Sequence, residues 1–435
     1  MEQRKEFSMG LRLLLLLVMT VLLLIPQVLI SLLVDDRSTT AARAAREIAE
    51  PWGEEQTLCG PLISVPYYVK DKESCGFDKY IAFFQPDSVS IAVRAIPEER
   101  TRGIFSVLLY RTKIKVHGVF TGIDKTLFPA NEWIEWDEME LVQPVKDVVG
   151  LKAIPKVQLS DTTLLLESSN KVDGMAPDWS TLSSPLRVRK DGRYEFSYEY
   201  AVNGSQELNF HPSAAITNVD LSLLWDKPSF VGKFLPDERT LTDSLTTAHW
   251  TVLSANTSQS LSWAVKSDRS YYSEYGSNDR FSSSEEFGVK LLMGIDHYDK
   301  VERAVKFAVL MIVFTFLTFF FTDSLLKKPI PMIGYVLTGL AILLFYTLLL
   351  SISEYMNFGL SYLIAAGAIT VMISLYMHGF IKRLKPVLIC AGILVILYTF
   401  LYIILQMANF PLLVGSLFLF LVLSVVMYLS QRLEW

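Results

Sequence analysis

LRLLLLLVMTVLLLIPQVLISLLV, residues 11–34, holds Arg12 and Gln27 as its only strongly polar side chains. At about 1.5 Å of helix rise per residue it is long enough to cross a hydrocarbon layer about 30 Å thick. Two readings compete. Behind Arg4 and Lys5 the run resembles a secretory signal peptide. It is longer than the roughly 7–15-residue apolar core of such a signal, however, and no A-x-A-like cleavage site precedes Asp35. An uncleaved membrane anchor fits better, and that choice decides how everything after it is read.

Composition agrees with the anchor. Of 435 residues 51% are hydrophobic, and the mean hydropathy is +0.33, above what soluble domains show. The excess sits at the far end, where residues 304–322, 330–351, 358–380, 387–406 and 411–430 each form an apolar run of spanning length. Backbone groups in lipid must bond within their own segment, so these runs are predicted as helices. Lys327 and Lys328 lie in one short connection, and Lys382, Arg383 and Lys385 in another. The alternate connections, 352–357 and 407–410, have no Lys or Arg. Positive residues stay on the cytoplasmic side, so both termini are predicted there and the long middle segment outside. The expected organisation is 1–34, a cytoplasmic N-terminus and first transmembrane helix; 35–303, an extracytoplasmic β-rich domain; and 304–435, a five-helix transmembrane bundle.

In the middle segment, DDRSTTAARAAREIAE suits a helix continuing out of the membrane until Pro51, Trp52 and Gly53 stop it. The period then changes to two. RTKIKVHGVFTG and YEFSYEYAV alternate polar and apolar side chains, and the second run meets Asn203-Gly204, which predicts a tight hairpin returning through SQELNF. VDLSLLW and LTTAHWTVLS read as further strands. The fold class expected is an integral membrane protein with a sandwich-like all-β outer domain, divided into two lobes near 168–185. Cys59 and Cys75 both lie outside, where an oxidising compartment permits a disulfide, and Cys390 lies within a span.

Chemistry is scarce. There is no H-E-x-x-H, C-x-x-C, G-x-S-x-G, Walker loop or G-x-G-x-x-G. His117, His211, His249, His297 and His378 are too scattered for a compact metal site. No catalytic residue, cofactor or metal is therefore predicted. A net charge of -5 without basic clusters outside gives no reason for nucleic acid. The one stretch that invites an enzyme is NEWIEWDEME, residues 131–140, with five carboxylates and two tryptophans. Neighbouring strand residues point to opposite faces, so Glu132, Glu135, Asp137, Glu138 and Glu140 cannot converge by adjacency alone. A solvated acidic rim held by Trp133 and Trp136 is expected. Transport would need Tyr346, Thr347, Ser351, Glu354 and Tyr376 to meet, yet the spans keep no ionisable group at mid-depth.

Several separated motifs carry a family resemblance. WGEEQTLCGPLISVPYY (52–68) is similar to a W-G-x-x-Q-T-L-x-G-P-x-x-x-V/I-P-Y pattern, and PSFVGKFLP (228–236) to P-S-F-x-G-x-F-L-P. The entry to the C-terminal spans, with Ser353 and Glu354, and the tail QRLEW add to it. Together they resemble the CreD family of bacterial inner-membrane proteins over nearly the whole chain. That resemblance implies a non-enzymatic role in cell-envelope integrity, with links to stress response and colicin tolerance. It singles out Trp52, Gly53, Gln56, Gly60, Pro61, Pro66, Pro228, Phe230, Gly232, Phe234, Pro236 and Glu354 as candidate partner-binding or structural residues. Cys59 and Cys75 are not part of its pattern. The partners expected are the lipid bilayer and, for the outer domain, an envelope protein, a glycan or a lipid.

Overall fold

Helix α1 (Met9–Ala49) contains the opening apolar run and continues past Asp35 and Asp36 for a further 13 residues, as the Ala/Arg-rich sequence predicts. It ends where expected. Trp52 N and Gly53 N both close on Ala49 O, and Gly53 takes φ +139°, which only glycine adopts readily. The computed structural model describes residues 9–431, other than 71–75, 124, 129–132, 161, 170–178, 190–191, 226–227, 268–282, 292–295, 327–330 and 408–410. Two compact units emerge: Arg43–Met293, and Met1–Ala42 together with Gly294–Trp435. The first helix thus joins the C-terminal helices in one unit, and the middle segment is one unit, not two lobes.

Among the described residues the middle unit has twenty strands. The first are β1 (Gln56–Leu58), β2 (Leu62–Lys70), β3 (Phe77–Phe84), β4 (Ser88–Arg102) and β5 (Phe105–Phe120). Next come β6 (Trp133–Ile134), β7 (Glu140–Val145), β8 (Lys156–Leu159), β9 (Thr162–Leu165) and β10 (Glu167–Ser168). They are followed by β11 (Ser180–Pro185), β12 (Tyr194–Tyr200), β13 (Asn203–Ser205), β14 (Glu207–Phe210) and β15 (Ile216–Leu223). Last are β16 (Pro228–Gly232), β17 (Glu238–Leu241), β18 (Thr246–Leu253), β19 (Ser262–Lys266) and β20 (Phe287–Leu291).

These strands build three sheets. The largest has the order β17-β18-β15-β4-β5-β12-β8-β9, with β13 also on β5. A seven-stranded sheet runs β10-β11-β7-β2-β3-β19, with β6 on β2, and a four-stranded sheet runs β1-β14-β20-β16. Alternation sets the packing. Val89, Ile91 and Val93 of β4 and Ile114 and Val116 of β5 face inward, against Ile63, Val65, Ala82 and Phe84 of the seven-stranded sheet. Phe210, Phe287 and Val289 of the small sheet join the same core beside Trp250. Each such side chain contributes about 1.5–3 kcal/mol by leaving water. The sandwich-like expectation holds, with a third sheet added.

Asn203-Gly204 does not turn the chain. Both residues lie in β13, with Gly204 opposite Tyr110 of β5, and the chain crosses to the small sheet only at Gln206, which has φ +58°. The physical reason is space. A Cβ on Gly204 would strike the Tyr110 ring, so this glycine makes room for an aromatic face and supplies no hairpin.

In the other unit, α2 (Asp296–Lys306) is joined to α3 (Ala308–Leu326) by a 47° bend, and α4 (Met332–Ser353), α5 (Phe358–Ile381), α6 (Leu384–Gln406) and α7 (Pro411–Ser430) follow. Among the described residues α1, α4, α5 and α6 are helices long and apolar enough to span a membrane. The bent α2–α3 pair would count as one more, and the apolar part of α7, Leu413–Tyr428, is shorter. The expected span 304–322 and the expected five C-terminal spans are corrected to three, or four with the bent pair, among the described residues, because the helix breaks at Phe307 and the apolar part of α7 is short. Gln27 of α1 donates from Nε2 to Val305 O at 3.1 Å, in the last turn of α2, where carbonyls lack helical partners.

Candidate functional site

The residues of the largest sheet that point away from the core form a trough of about 710 Å³. Register builds it. Glu238, His249, Asp220, Ala92, Lys115 and Glu199 stand side by side on six successive strands, from β17 to β12. The adjacent row is Thr240, Thr247, Ser222, Arg94 and Lys113. On the other flank Thr251, Asn218, Ser90, His117, Ser197 and Gln158 make a third aligned row, which continues the same polar face beyond the trough's own lining. Six strands at about 4.8 Å spacing give a length of roughly 24 Å. Apart from Ala92, every side chain in these rows is polar.

Most charges in the first row are paired. Lys115 Nζ meets Glu199 Oε1 at 2.8 Å, and His249 Nδ1 meets Asp220 Oδ1 at 2.7 Å. A carboxylate only accepts, so Nδ1–H donates to Asp220, and whenever the ring carries one proton Nε2 is left to accept from Thr251 Oγ1, at 3.2 Å. Asp220, His249 and Thr251 therefore have the connectivity of an activated hydroxyl. The surroundings do not suit acyl transfer. Thr251 N is occupied by Asp237 Oδ2 at 2.7 Å, and β18 is paired on both sides, by β15 and β17, so the strand that carries the hydroxyl offers it no amide for an oxyanion.

The second row differs. Arg94 and Lys113 lie directly opposite one another on β4 and β5, and among the described residues neither has an ion-pair partner. Arg111 and Lys115, which flank Lys113 on the same face of β5, are each held by a glutamate, Glu98 and Glu199.

The motif residues singled out by sequence lie elsewhere and act as joints. Trp52 Nε1 donates to Tyr110 O at 3.4 Å, and its ring takes Arg100 at 4.1 Å, Arg111 at 5.1 Å and Lys152 at 5.7 Å. At Gly53 a Cβ would lie 2.5 Å from Asn203 O. Buried Gln56 pairs with Leu208 in the parallel β1–β14 ladder, and Gly60 N donates to Ser213 Oγ at 2.6 Å. Pro61 is buried, and Pro66 sits within β2 opposite Ile81. Pro228 opens the edge strand β16, where no ladder donor is needed. Phe230 and Phe234 pack on Trp250 and Phe287, Gly232 takes φ +91° against Glu286 O, and half-buried Pro236 ends the segment.

Buried polar groups in this unit are structural too. Burial pushes the Cys59 thiol up, and its Sγ–H faces Pro144 O at 3.7 Å. Gln143 Nε2 donates to Cys59 O at 3.1 Å, and Tyr198 donates to Gln143 Oε1. Cys59 thus carries a free thiol within a packed cluster, while Cys75, its expected disulfide partner, lies outside the described residues. Burial raises the Glu285 carboxyl, but hydrogen bonds from Lys233 Nζ at 2.7 Å and Ser258 Oγ at 2.9 Å outweigh it, so the group titrates below its ordinary range.

The acidic stretch falls at the border of the seven-stranded sheet. Asn131 and Glu132 lie outside the described residues. Trp136 packs edge-on against Phe128 and anchors as expected, but Trp133 is 70% exposed and anchors nothing. Asp137 and Glu138 lie in one 3-10 turn, Glu138 facing Lys79 at 3.4 Å, while Glu140 begins β7. Among the described residues Asp137, Glu138 and Glu140 are not gathered into a cleft. Among the described residues no three His, Cys, Asp or Glu side chains cluster as a metal site would need.

In the helical unit Glu354 follows α4 with its side chain only 9% exposed. Tyr298 of α2 donates to its Oε1 at 3.2 Å, and Arg37 of α1 lies 3.9 Å away. Glu354 therefore ties three helices together. Tyr346 is buried, whereas Ser351 is exposed and Tyr376 meets Phe380 edge to face, so these polar residues do not gather in one place.

A family model described as inner membrane protein CreD matches residues 8–435. The chain is 25% identical over 419 residues to the inner membrane protein CreD of Escherichia coli (strain K12), covering 94% of this chain and 90% of that one. Among solved structures, an M1 zinc metallopeptidase from Deinococcus radiodurans overlaps 39% of this chain and 38% of its own, at 9% identity and a TM-score of 0.19. An overlap that slight carries no inference.

Proposed function

This chain belongs to the CreD family of inner membrane proteins, and from that premise we propose a non-enzymatic role in envelope integrity, with the β-unit outside the membrane and an envelope component bound along its trough. The placement of Lys327, Lys328, Lys382, Arg383 and Lys385 in alternate connections supports cytoplasmic termini and an external middle unit. One observation carries the binding reading. The motif residues of the β-unit are committed to joints, whereas the second row of the largest sheet offers Arg94 and Lys113 with no ion-pair partner among the described residues, beside a first row whose charges mostly pair with one another. A strand face that only needed solvation would be served by any polar residues; here unpaired cations and hydroxyls are ordered into a concave surface. Among the described residues the acidic stretch is not gathered into a cleft and the strand that carries Thr251 offers no oxyanion donor, which favours binding over turnover.

Photo-crosslinking in living cells tests this. A diazirine side chain at Ser222 or Thr240 of the trough should capture an envelope molecule, and one at exposed Phe77 on the seven-stranded sheet should not. The reading fails if the trough positions capture no more than Phe77 does while the protein remains in the membrane.

A further inference from the structure

We propose that the trough recognises a polyanionic glycan, one bearing carboxylate or phosphate groups, and that Arg94 and Lys113 form its anion-holding subsite. This rests on the trough being the binding surface.

Like charges directly opposite on adjacent strands repel. Arg94 and Lys113 occupy such a pair, with Ser222 next to Arg94 in the same row, and no carboxylate neutralises either cation among the described residues. The same strand shows that neutralisation is available, since Arg111 and Lys115 each have a glutamate. An anion between Arg94 and Lys113 would relieve the repulsion and accept from both, with the guanidinium giving a bidentate fork.

The surface also discriminates among classes of ligand. Stable protein interfaces have a desolvated core of aromatic or aliphatic anchors within a polar rim. The exposed rows here have no such core: Ala92 is their only apolar member, and the other apolar residues along the trough, Val93, Leu221 and Ala248, belong to the buried core beneath it. A lipid would need an apolar bed for its chains, which the rows lack equally. Hydroxyl-rich polymers match better, because Thr240, Thr247, Ser222, Ser90 and Ser197 both donate and accept along a length of roughly 24 Å. With no aromatic platform in the rows to stack sugar rings, neutral glycans gain little, so the affinity rests locally on Arg94 and Lys113, Lys115 being neutralised by Glu199 and the first row adding Glu238 and Asp220.

Full-length protein in nanodiscs should bind polygalacturonate or a glycerol-phosphate polymer about tenfold or more tightly than neutral dextran. Which of the two polyanions binds better identifies carboxylate or phosphate as the preferred group. Arg94→Gln with Lys113→Gln should weaken polyanion binding about tenfold, and added salt should do the same. Lys70→Gln with Lys79→Gln, an equal charge change on the other sheet, should leave it intact. The inference is overturned if dextran binds equally, if neither polyanion binds, if the trough double variant is unaffected, or if both double variants lose the same affinity. In-cell capture of a protein at Ser222 would likewise overturn it while leaving the trough a binding surface; absence of any capture would remove the surface itself.

Discussion

Two regions of the β-unit were built under opposite rules. Around residues 52–68 and 228–236 the aromatic rings and the glycines are fixed by neighbours: a ring among three cations, a carbonyl against a missing Cβ, aromatics against aromatics. In the trough the side chains are ordered by register alone and touch few internal partners. The first kind of region makes a recognisable motif because few residues satisfy it. The second leaves no motif, because any polar residue would fold there. Function should accordingly be more separable from stability in the trough than in the joints.

The joints can be broken most severely at two glycines. Gly53→Ala or Gly232→Ala combines a forbidden φ, +139° or +91°, with a Cβ driven into a carbonyl oxygen. Each should destabilise by about 3 kcal/mol or more. Gly103 offers the internal control, since its φ of +65° has nothing within 4 Å of a Cβ. Gly103→Ala should cost about 1 kcal/mol. Thermal unfolding of the three purified variants decides the matter, and equal losses at all three would mean that strain without crowding explains the joints.

A smaller effect is expected at Glu285, which braces the second joint through Lys233. Its folded pKa lies below the unfolded value, so its contribution is present above the unfolded carboxylate range and is lost as pH falls through the folded pKa. Glu285→Gln should cost about 1–2 kcal/mol at neutral pH, discounted because Lys233 is partly exposed. The difference from the parent should shrink on acidification. A constant gap across that range would show that the carboxylate's charge is not what braces the joint.

Legibility followed the same division. Residues 11–34 and the C-terminal runs announce themselves, since apolar length is a local property, and Pro51 to Gly53 mark the helix end for the same reason. The bend at Phe307 was hidden because residues 304–322 are as apolar as a straight span. Asn203-Gly204 misled for a different cause: the pair is compatible with a hairpin, but Tyr110, 94 residues earlier than Gly204, decides otherwise. RTKIKVHGVFTG revealed a strand with basic residues on one face. Nothing in it revealed that Arg94 would stand opposite Lys113, because register between strands is a tertiary property.

That register predicts the smallest effect and the most informative. If Arg94 and Lys113 repel without benefit to the fold, Arg94→Gln with Lys113→Gln should raise stability, by about 0.2–1 kcal/mol. The gain would contrast in sign with every joint substitution. It should diminish in high salt, which screens exposed charges in the parent. A thermal-unfolding comparison at low and high ionic strength would measure both. A loss of stability instead would mean that the pair supports the sheet, through the aliphatic stems of the two side chains lying across their neighbours, and the trough would then follow the same rule as the joints. Gain in stability together with loss of polyanion binding is the combination that only a retained ligand site explains.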